Sequence, residues 1–256
     1  MTVYEARLAH LEELRRQELM LVARFIPAGS RILEIGAGSG WQSKLLAQLG
    51  HEVHALDLPQ RRKQGVQHFP VADYDGLNIP FPDQHFDVVF SSNVLEHIPH
   101  LAPFQREIAR VLKVGGVGLH ILPTPAWRFW TLLSHNIYIA RLLYGIARRS
   151  IEAGDAEGAG GSTMLPKDIR KKWRDAFWPS RHGESGNALT ELYLFSAGCW
   201  QARFENAGWT VIDRQPLGIF YTGNQLFRQR LSLRHRRTLA RFLGSATQVF
   251  WLTVAS

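Results

Sequence analysis

The sequence predicts an α/β fold built on a doubly wound, mainly parallel sheet. Short apolar segments alternate with helical patterns through the first 122 residues, which is how strands joined by crossover helices read. A cluster of glycines follows the first of those segments, where such a sheet turns from strand into helix. The strand-type segments also end in acidic or polar residues, which gathers polar groups on one edge of the sheet.

The elements follow in order. Tyr4–Phe25 carries Leu8, Leu11, Leu14, Leu19 and Val22 at mostly three- and four-residue spacing, an amphipathic helix. Pro27-Ala-Gly-Ser ends it. Arg31–Ile35 is a short apolar strand, and Trp41–Leu49 is a helix closed by Gly50. Glu52–Leu56 is a second strand ending in Asp57, and Val66–Pro70 a weaker third. Phe86–Ser91 reads as a buried strand, Phe104–Leu112 as a helix stopped by Lys-Val-Gly-Gly, and Val117–Leu122 as a fifth strand. Residues 123–195 break the rhythm as an insertion. Helix Ala197–Ala207, strand Trp209–Asp213 and a last strand from Gln248 then resume it. The domain expectation is a helix over 1–27 and one domain over 28–256 that contains the insertion.

Composition narrows the function classes. The 256 residues are 45% hydrophobic and 20% charged, proportions of a folded chain rather than a disordered one. A single cysteine, Cys199, excludes an intrachain disulfide and a cysteine-rich zinc site, and fits a cytoplasmic setting. The opening residues alternate charge with Leu, so no signal peptide is expected, and no apolar run suits a membrane span. The net charge of +8 is uneven: residues 1–100 hold 9 Lys and Arg against 12 Asp and Glu, while 101–150 hold 7 against 1 and 201–256 hold 8 against 2. These basic blocks attract anionic partners without choosing among nucleic acid, lipid and substrate.

Chemistry concentrates at the glycine cluster. Glu34, Gly36, Gly38 and Gly40 form Glu-x-Gly-x-Gly-x-Gly between a strand and a helix, which sets backbone N–H groups beside a ligand. A dinucleotide site needs a small residue where Trp41 stands, and the Gly-Lys-Ser/Thr of a nucleotide hydrolase is missing. Asp57, ending the second strand, is placed to accept from two ribose hydroxyls. Asp73 follows the third strand, where it can accept from an adenine amino group, and Ser91-Ser-Asn-Val-Leu-Glu-His follows the fourth on the same edge.

These residues resemble the class I S-adenosylmethionine-dependent methyltransferases, in particular the type 11 group. The likeness rests on ILEIGAGSG, on ALD ending at Asp57, on VADYDGLNIPFPDQHFDVVFSSNVLEHIP and on VLKVGGVGLHILPTP, and covers about residues 31–124. It implies a Rossmann-like seven-stranded sheet with the last strand antiparallel, S-adenosylmethionine as cofactor, and a helical insertion that covers the substrate. By the same resemblance Gly36, Ala37 and Gly38 would line the methionine end, with Gly40 closing the loop and Glu34 ordering it. Asp57 and Leu58 would hold the ribose, Asp73 and Tyr74 flank the adenine, and Ser92 and Asn93 lie near the sulfonium.

The acceptor side is less defined. Arg181-His-Gly-Glu-Ser-Gly-Asn combines a base, His182, with a carboxylate, Glu184, in a loop that otherwise reads as a glycine-rich surface turn. His97 either faces the acceptor or caps the helix after the fourth strand. No metal is expected, since His97 and His100 have no carboxylate at clear ligand spacing. Trp127–Leu133 and Ile137–Arg149 combine aromatic bulk with Arg, as does a lid or an interfacial helix. Arg228, Arg230, Arg234, Arg236, Arg237 and Arg241 either support peripheral contact with the inner membrane face or form solvated helix faces. The C-terminal segments are similar to bacterial methyltransferases of surface-polysaccharide or lipid-linked sugar pathways. The expected acceptor is oxygen on a small molecule, sugar or lipid-linked glycan, with a quinone or polyprenylated precursor as alternative. A nucleic-acid-binding or RNA-modifying protein and a catalytically silent binding module are the competing classes. No nucleic-acid partner is expected, since the fourth strand lacks the Asn/Asp-Pro-Pro-Tyr signature.

Overall fold

The computed structural model describes residues 3–61, 67–135, 180–223 and 230–254, together with positions 137, 139 and 144. The low-complexity stretch Glu152–Ser162, most of Ile137–Arg149, Val66 and Arg228 lie outside the described residues.

Seven strands form one sheet in the order β3-β2-β1-β4-β5-β7-β6. These are β1 Arg31–Ile35, β2 Glu52–Asp57, β3 Ala72–Asp73, β4 Phe86–Ser92, β5 Leu112–Pro123, β6 Trp209–Pro216 and β7 Thr247–Val254. The first five pair in parallel, and β7 runs antiparallel between β5 and β6. The order reverses between β1 and β4, so the carboxyl ends of those strands open a crevice. The helices are α1 Val3–Ala23, α2 Trp41–Gln48, α3 Leu101–Val111, α4 residues 125–135, α5 Glu191–Leu194, α6 Ala197–Glu205 and α7 Leu233–Leu243.

Adjacent residues on each central strand serve opposite faces, which makes these strands apolar throughout. Leu33 and Val89 pack with Phe104, Ile108 and Val111 of α3 and Trp200 and Phe204 of α6. Their neighbours Ile32 and Val88 pack with Leu19 and Val22 of α1 and Leu46 of α2. Each of these large side chains is fully buried, stabilising the fold by about 1.5–3 kcal/mol apiece. The α1 stripe also carries a charge into the interior. Glu18 is fully buried and accepts from Tyr221 Oη at 2.9 Å, from Thr247 Oγ1 and from Arg15 Nη1 at 3.2 Å.

Two expectations are corrected. The third strand is Ala72–Asp73, not Val66–Pro70. Pro70 has no N–H for a ladder, so pairing with β2 begins beyond it, Leu56 against Ala72 and Asp57 against Asp73. Residues before the proline instead pack on the glycine loop, with His68 N donating to Ser39 O at 2.8 Å. The Lys-Val-Gly-Gly segment is not a plain helix stop. The chain passes from α3 straight into β5 at Leu112, and the segment fills a register shift between Phe86 and Val88.

Candidate functional site

The glycine loop is held by backbone geometry. Gly36, Gly38 and Gly40 have φ of +72°, +59° and +73°, a region costly to side-chain-bearing residues. A Cβ on Gly36 would meet Val94 Cγ2 at 2.4 Å, and one on Gly40 would meet Phe69 Cβ at 2.7 Å. At Gly38 a Cβ would meet nothing within 4 Å, so the loop is packed at its ends and open at its middle. Gly36 N and Ala37 N both donate to Leu56 O, at 2.8 and 3.1 Å, tying the loop to β2.

Asp57 completes this arrangement. Its Oδ2 accepts from Gly38 N at 2.6 Å and its Oδ1 from Leu58 N at 2.7 Å. Each oxygen keeps a lone pair for a ligand hydroxyl. Glu34 lies beneath, 1% exposed, and accepts from the Ser43 hydroxyl of α2. Burial pushes its carboxyl up to about 8, with the charge of Asp57 adding to the shift. Its hydroxyl partner sits on α2, so the buried carboxyl joins β1 to α2 across the loop.

A cleft of about 170 Å³ opens beside the loop, lined by Gly36, Asp57, Leu58, Tyr74, Asn93, Val94, His97 and Ile98. Tyr74 is buried and its hydroxyl is pushed up to about 12 by that burial and by nearby Asp57. Asp73, exposed at the end of β3, stands beside Asp57 in the strand register. Asn93 holds φ +55° and donates its backbone N–H to Ile121 O at 2.8 Å. Its amide oxygen accepts from Arg15 Nη2 at 3.2 Å, and Ser92 Oγ accepts from Arg15 Nη1 at 3.2 Å. Arg15 thus reaches both residues from α1. Nothing in the sequence marks it, since it sits among the charges of an amphipathic helix.

The acceptor-side candidates come from two distant segments. His97 ends a single 3₁₀ turn, Leu95–His97, and lines the cleft. His182 lies with its ring centroid 4.7 Å from that of His97 and 4.6 Å from that of Trp127 on α4. Beside both imidazoles is Glu96, whose Oε1 is 3.8 Å from His182 Nε2 and 3.9 Å from His97 Nε2. Burial pushes the Glu96 carboxyl up to about 8, partly offset by Arg15. Burial, with His97, Arg128 and Arg15 nearby, pulls His182 down to about 4, which leaves it neutral at pH 7.

The His182 turn is clamped from below. Glu191 Oε1 accepts from His182 N at 2.6 Å and Gly183 N at 2.7 Å, and its Oε2 lies 2.8 Å from Arg128 Nε on α4. Arg128 and Glu191 are both buried. Glu184 takes a different place from that expected of a partner to His182. Its backbone N donates to Glu96 O at 2.8 Å, while its carboxylate faces Arg181 at 3.5 Å. The carboxylate at the imidazole pair is Glu96, which the sequence shows only as the neighbour of His97.

Residues 33–119 match the methyltransferase-domain family. A 2-methyl-6-phytyl-1,4-hydroquinone methyltransferase from Synechocystis is 35% identical over 100 residues, 36% of this chain and 31% of that protein. A ubiquinone biosynthesis O-methyltransferase from Xanthomonas oryzae pv. oryzae is 34% identical over 131 residues, 47% of this chain and 55% of that protein. The chain therefore spans about a third to a half of the length of these relatives. An S-adenosylmethionine-dependent methyltransferase structure from Mesorhizobium loti shares the fold at a TM-score of 0.52 and 14% identity, over 92% of this chain and 97% of that one.

Proposed function

We propose, from the match of residues 33–119 to the methyltransferase-domain family, that this chain methylates an oxygen of a small molecule, sugar or lipid-linked glycan using S-adenosylmethionine. The observation that carries the reading is the latch between Gly38 N and Asp57 Oδ2 beside a cleft whose far side is His97. The residues fit the cofactor: the loop is open at Gly38, and Asp57 keeps acceptor capacity for ribose hydroxyls. S-adenosylmethionine supplies a methyl group on a positive sulfur, a good leaving group. Asp57 and Leu58 hold the ribose, Tyr74 and Asp73 border the base, and Asn93 and Ser92, steadied by Arg15, border the reacting end.

Such a transfer needs an acceptor held in line more than covalent help. An alcohol or phenol must also lose its proton. Among the described residues His97 is the imidazole that lines the cleft, with the His182 ring packed against it and Glu96 beside both, and His97 with His182 is the group proposed to take that proton. His182→Ala is expected to lower kcat by about a hundredfold or more while leaving S-adenosylmethionine affinity unchanged by calorimetry. Full turnover in that variant removes His182 from the reaction.

A lipid-bearing acceptor is supported by an exposed apolar and basic patch. Phe129 and Leu133 of α4 and Phe242 of α7 are 50%, 44% and 82% exposed, and Trp130 Nε1 donates to Leu243 O at 2.8 Å, joining the two helices. Arg234, Arg237 and Arg241 are exposed on α7, whereas Arg236 is buried and donates to Phe220 O at 3.0 Å. No helix among the described residues is long and apolar enough to cross a membrane, so the contact proposed is peripheral. The names of the two relatives favour a quinol precursor as a second acceptor class. Labelled-methyl turnover against nucleotide sugars, lipid-linked sugars and quinol precursors separates the two, and flotation with anionic vesicles at low salt tests the membrane contact.

A further inference from the structure

Glu96 stands apart from the other buried carboxylates around the cleft. Glu18 has Arg15 at 3.2 Å, and Glu191 has Arg128 at 2.8 Å. Glu34 has the Ser43 hydroxyl. The Glu96 side chain is fully buried, and neither of its oxygens has a hydrogen-bond partner among the described residues. A buried carboxylate left in that state is costly. What faces it is a pair of imidazole nitrogens, His182 Nε2 at 3.8 Å and His97 Nε2 at 3.9 Å, too far for hydrogen bonds to Oε1.

These distances suit a shared cation. Ligands about 2.1 Å from a tetrahedral ion lie about 3.4 Å from one another. Both measured O–N separations are within half an ångström of that spacing, and one ligand atom from each residue falls within 4.8 Å of the others. Two imidazoles and one carboxylate select a first-row transition ion over magnesium or calcium, which prefer oxygen throughout. Arg15 and Arg128 face the cluster, and each already has its own carboxylate. The turn holding His182 is fixed by Glu191 through two backbone N–H groups, so this side chain is presented rather than free to wander.

We propose that Glu96, His97 and His182 are the protein ligands of one divalent transition-metal ion, of the zinc type, at the acceptor edge of the cleft. Three protein ligands leave a position open. His97 lines the cleft, so that position is where an acceptor oxygen is bound and oriented. This last consequence rests on the methyl-transfer reading, whereas the binding of the ion does not.

The test uses the full chain, stripped by chelator and titrated with Zn²⁺ and Co²⁺, with Mg²⁺ as contrast, by calorimetry and visible absorption. One equivalent of Co²⁺ is expected to give the bands of a nitrogen-ligated ion, displaced by Zn²⁺ and indifferent to Mg²⁺. Proton NMR of the Co²⁺ form is expected to show shifted ring N–H signals from two histidines, a readout that needs no variant. Glu96→Gln and His182→Ala are expected to weaken Co²⁺ binding by about tenfold or more, with S-adenosylmethionine binding retained as the control for folding. Absence of stoichiometric binding, fewer than two shifted histidines, or affinity unchanged in both variants overturns the proposal. A chain that binds Co²⁺ in this way but not S-adenosylmethionine overturns the methyl-transfer reading and leaves the ion site standing.

Discussion

The two sides of the cleft are built by different means. The cofactor side is local: β1, the glycine loop, α2 and the end of β2 lie within residues 31–58, and the polar contacts there are mostly to backbone. The side proposed to meet the acceptor is assembled from α1, the turn after β4, α4 and the segment around His182, and it is held by buried side-chain charges. Backbone contacts tolerate variation in the surrounding sequence, whereas a buried ion pair depends on both partners. The cofactor side is therefore expected to withstand most substitutions outside the glycines and Asp57. The acceptor side is expected to fail at single charges.

Removing Glu191 tests the second half of that contrast most severely. Glu191→Ala strands Arg128 as a buried charge and frees two N–H groups of the His182 turn. Breaking such a pair costs about 3–5 kcal/mol. Urea unfolding should show a loss of that size, with S-adenosylmethionine affinity preserved in the molecules that remain folded. A loss under about 1 kcal/mol, the value of an exposed pair, breaks the contrast.

On the cofactor side the corresponding extreme is Gly36→Val. The residue sits at φ +72°, and its Cβ position is 2.4 Å from Val94 Cγ2. The backbone conformation alone costs about 1–2 kcal/mol, and the crowding about 1–3 kcal/mol more. Cofactor binding measured by calorimetry is expected to disappear, while Gly38→Ala, with nothing within 4 Å of the new methyl, loses affinity without crowding the protein core. Equal destabilisation of the two variants would contradict the packing described. Asp57→Asn is milder. It keeps the shape but exchanges one charged acceptor, between Gly38 N and Leu58 N, for an amide that can satisfy only one of them. That contact is lost in the folded chain itself, so a loss of about 1.5–3 kcal/mol is expected in urea unfolding, with a fall in cofactor affinity measured by calorimetry beside it.

The same contrast explains what the sequence revealed. The alternation of strands and helices up to β5, β3 apart, and the glycine loop between β1 and α2 were legible because spacing along the chain determines them. The apolar content of Val66–Pro70 points to a strand there, but Pro70 lacks the N–H that pairing needs, and β3 is Ala72–Asp73. Arg15 was invisible because its partners, Ser92 and Asn93, are distant in sequence, and a charged residue on an amphipathic helix ordinarily faces solvent. His97 and His182 were each legible as chemistry-bearing residues, but their meeting around Glu96 depends on the Arg128–Glu191 pair. No periodicity records that pair, since it joins α4 to the helix after the His182 turn.

The finest test of the cofactor side is a slope rather than a loss. Burial and the charge of Asp57 push Glu34 up to about 8, from the 4.5 of an exposed glutamate. Above about pH 4.5 the unfolded chain has released this proton, while the folded chain keeps it until about pH 8. The folded state binds more protons across that window, so stability falls as pH rises through it and levels off above the folded value. Glu34→Gln has no proton to retain and still presents an oxygen to the Ser43 hydroxyl. Its unfolding free energy, measured by urea at a series of pH values, should decline less between about pH 5 and pH 8 than that of the parent. A variant with the parent's slope would place the pH dependence elsewhere and would mean that Glu34 is ionised in the folded chain. In that case the loop would rest on a charge, as the acceptor side does, and the distinction between the two sides would narrow.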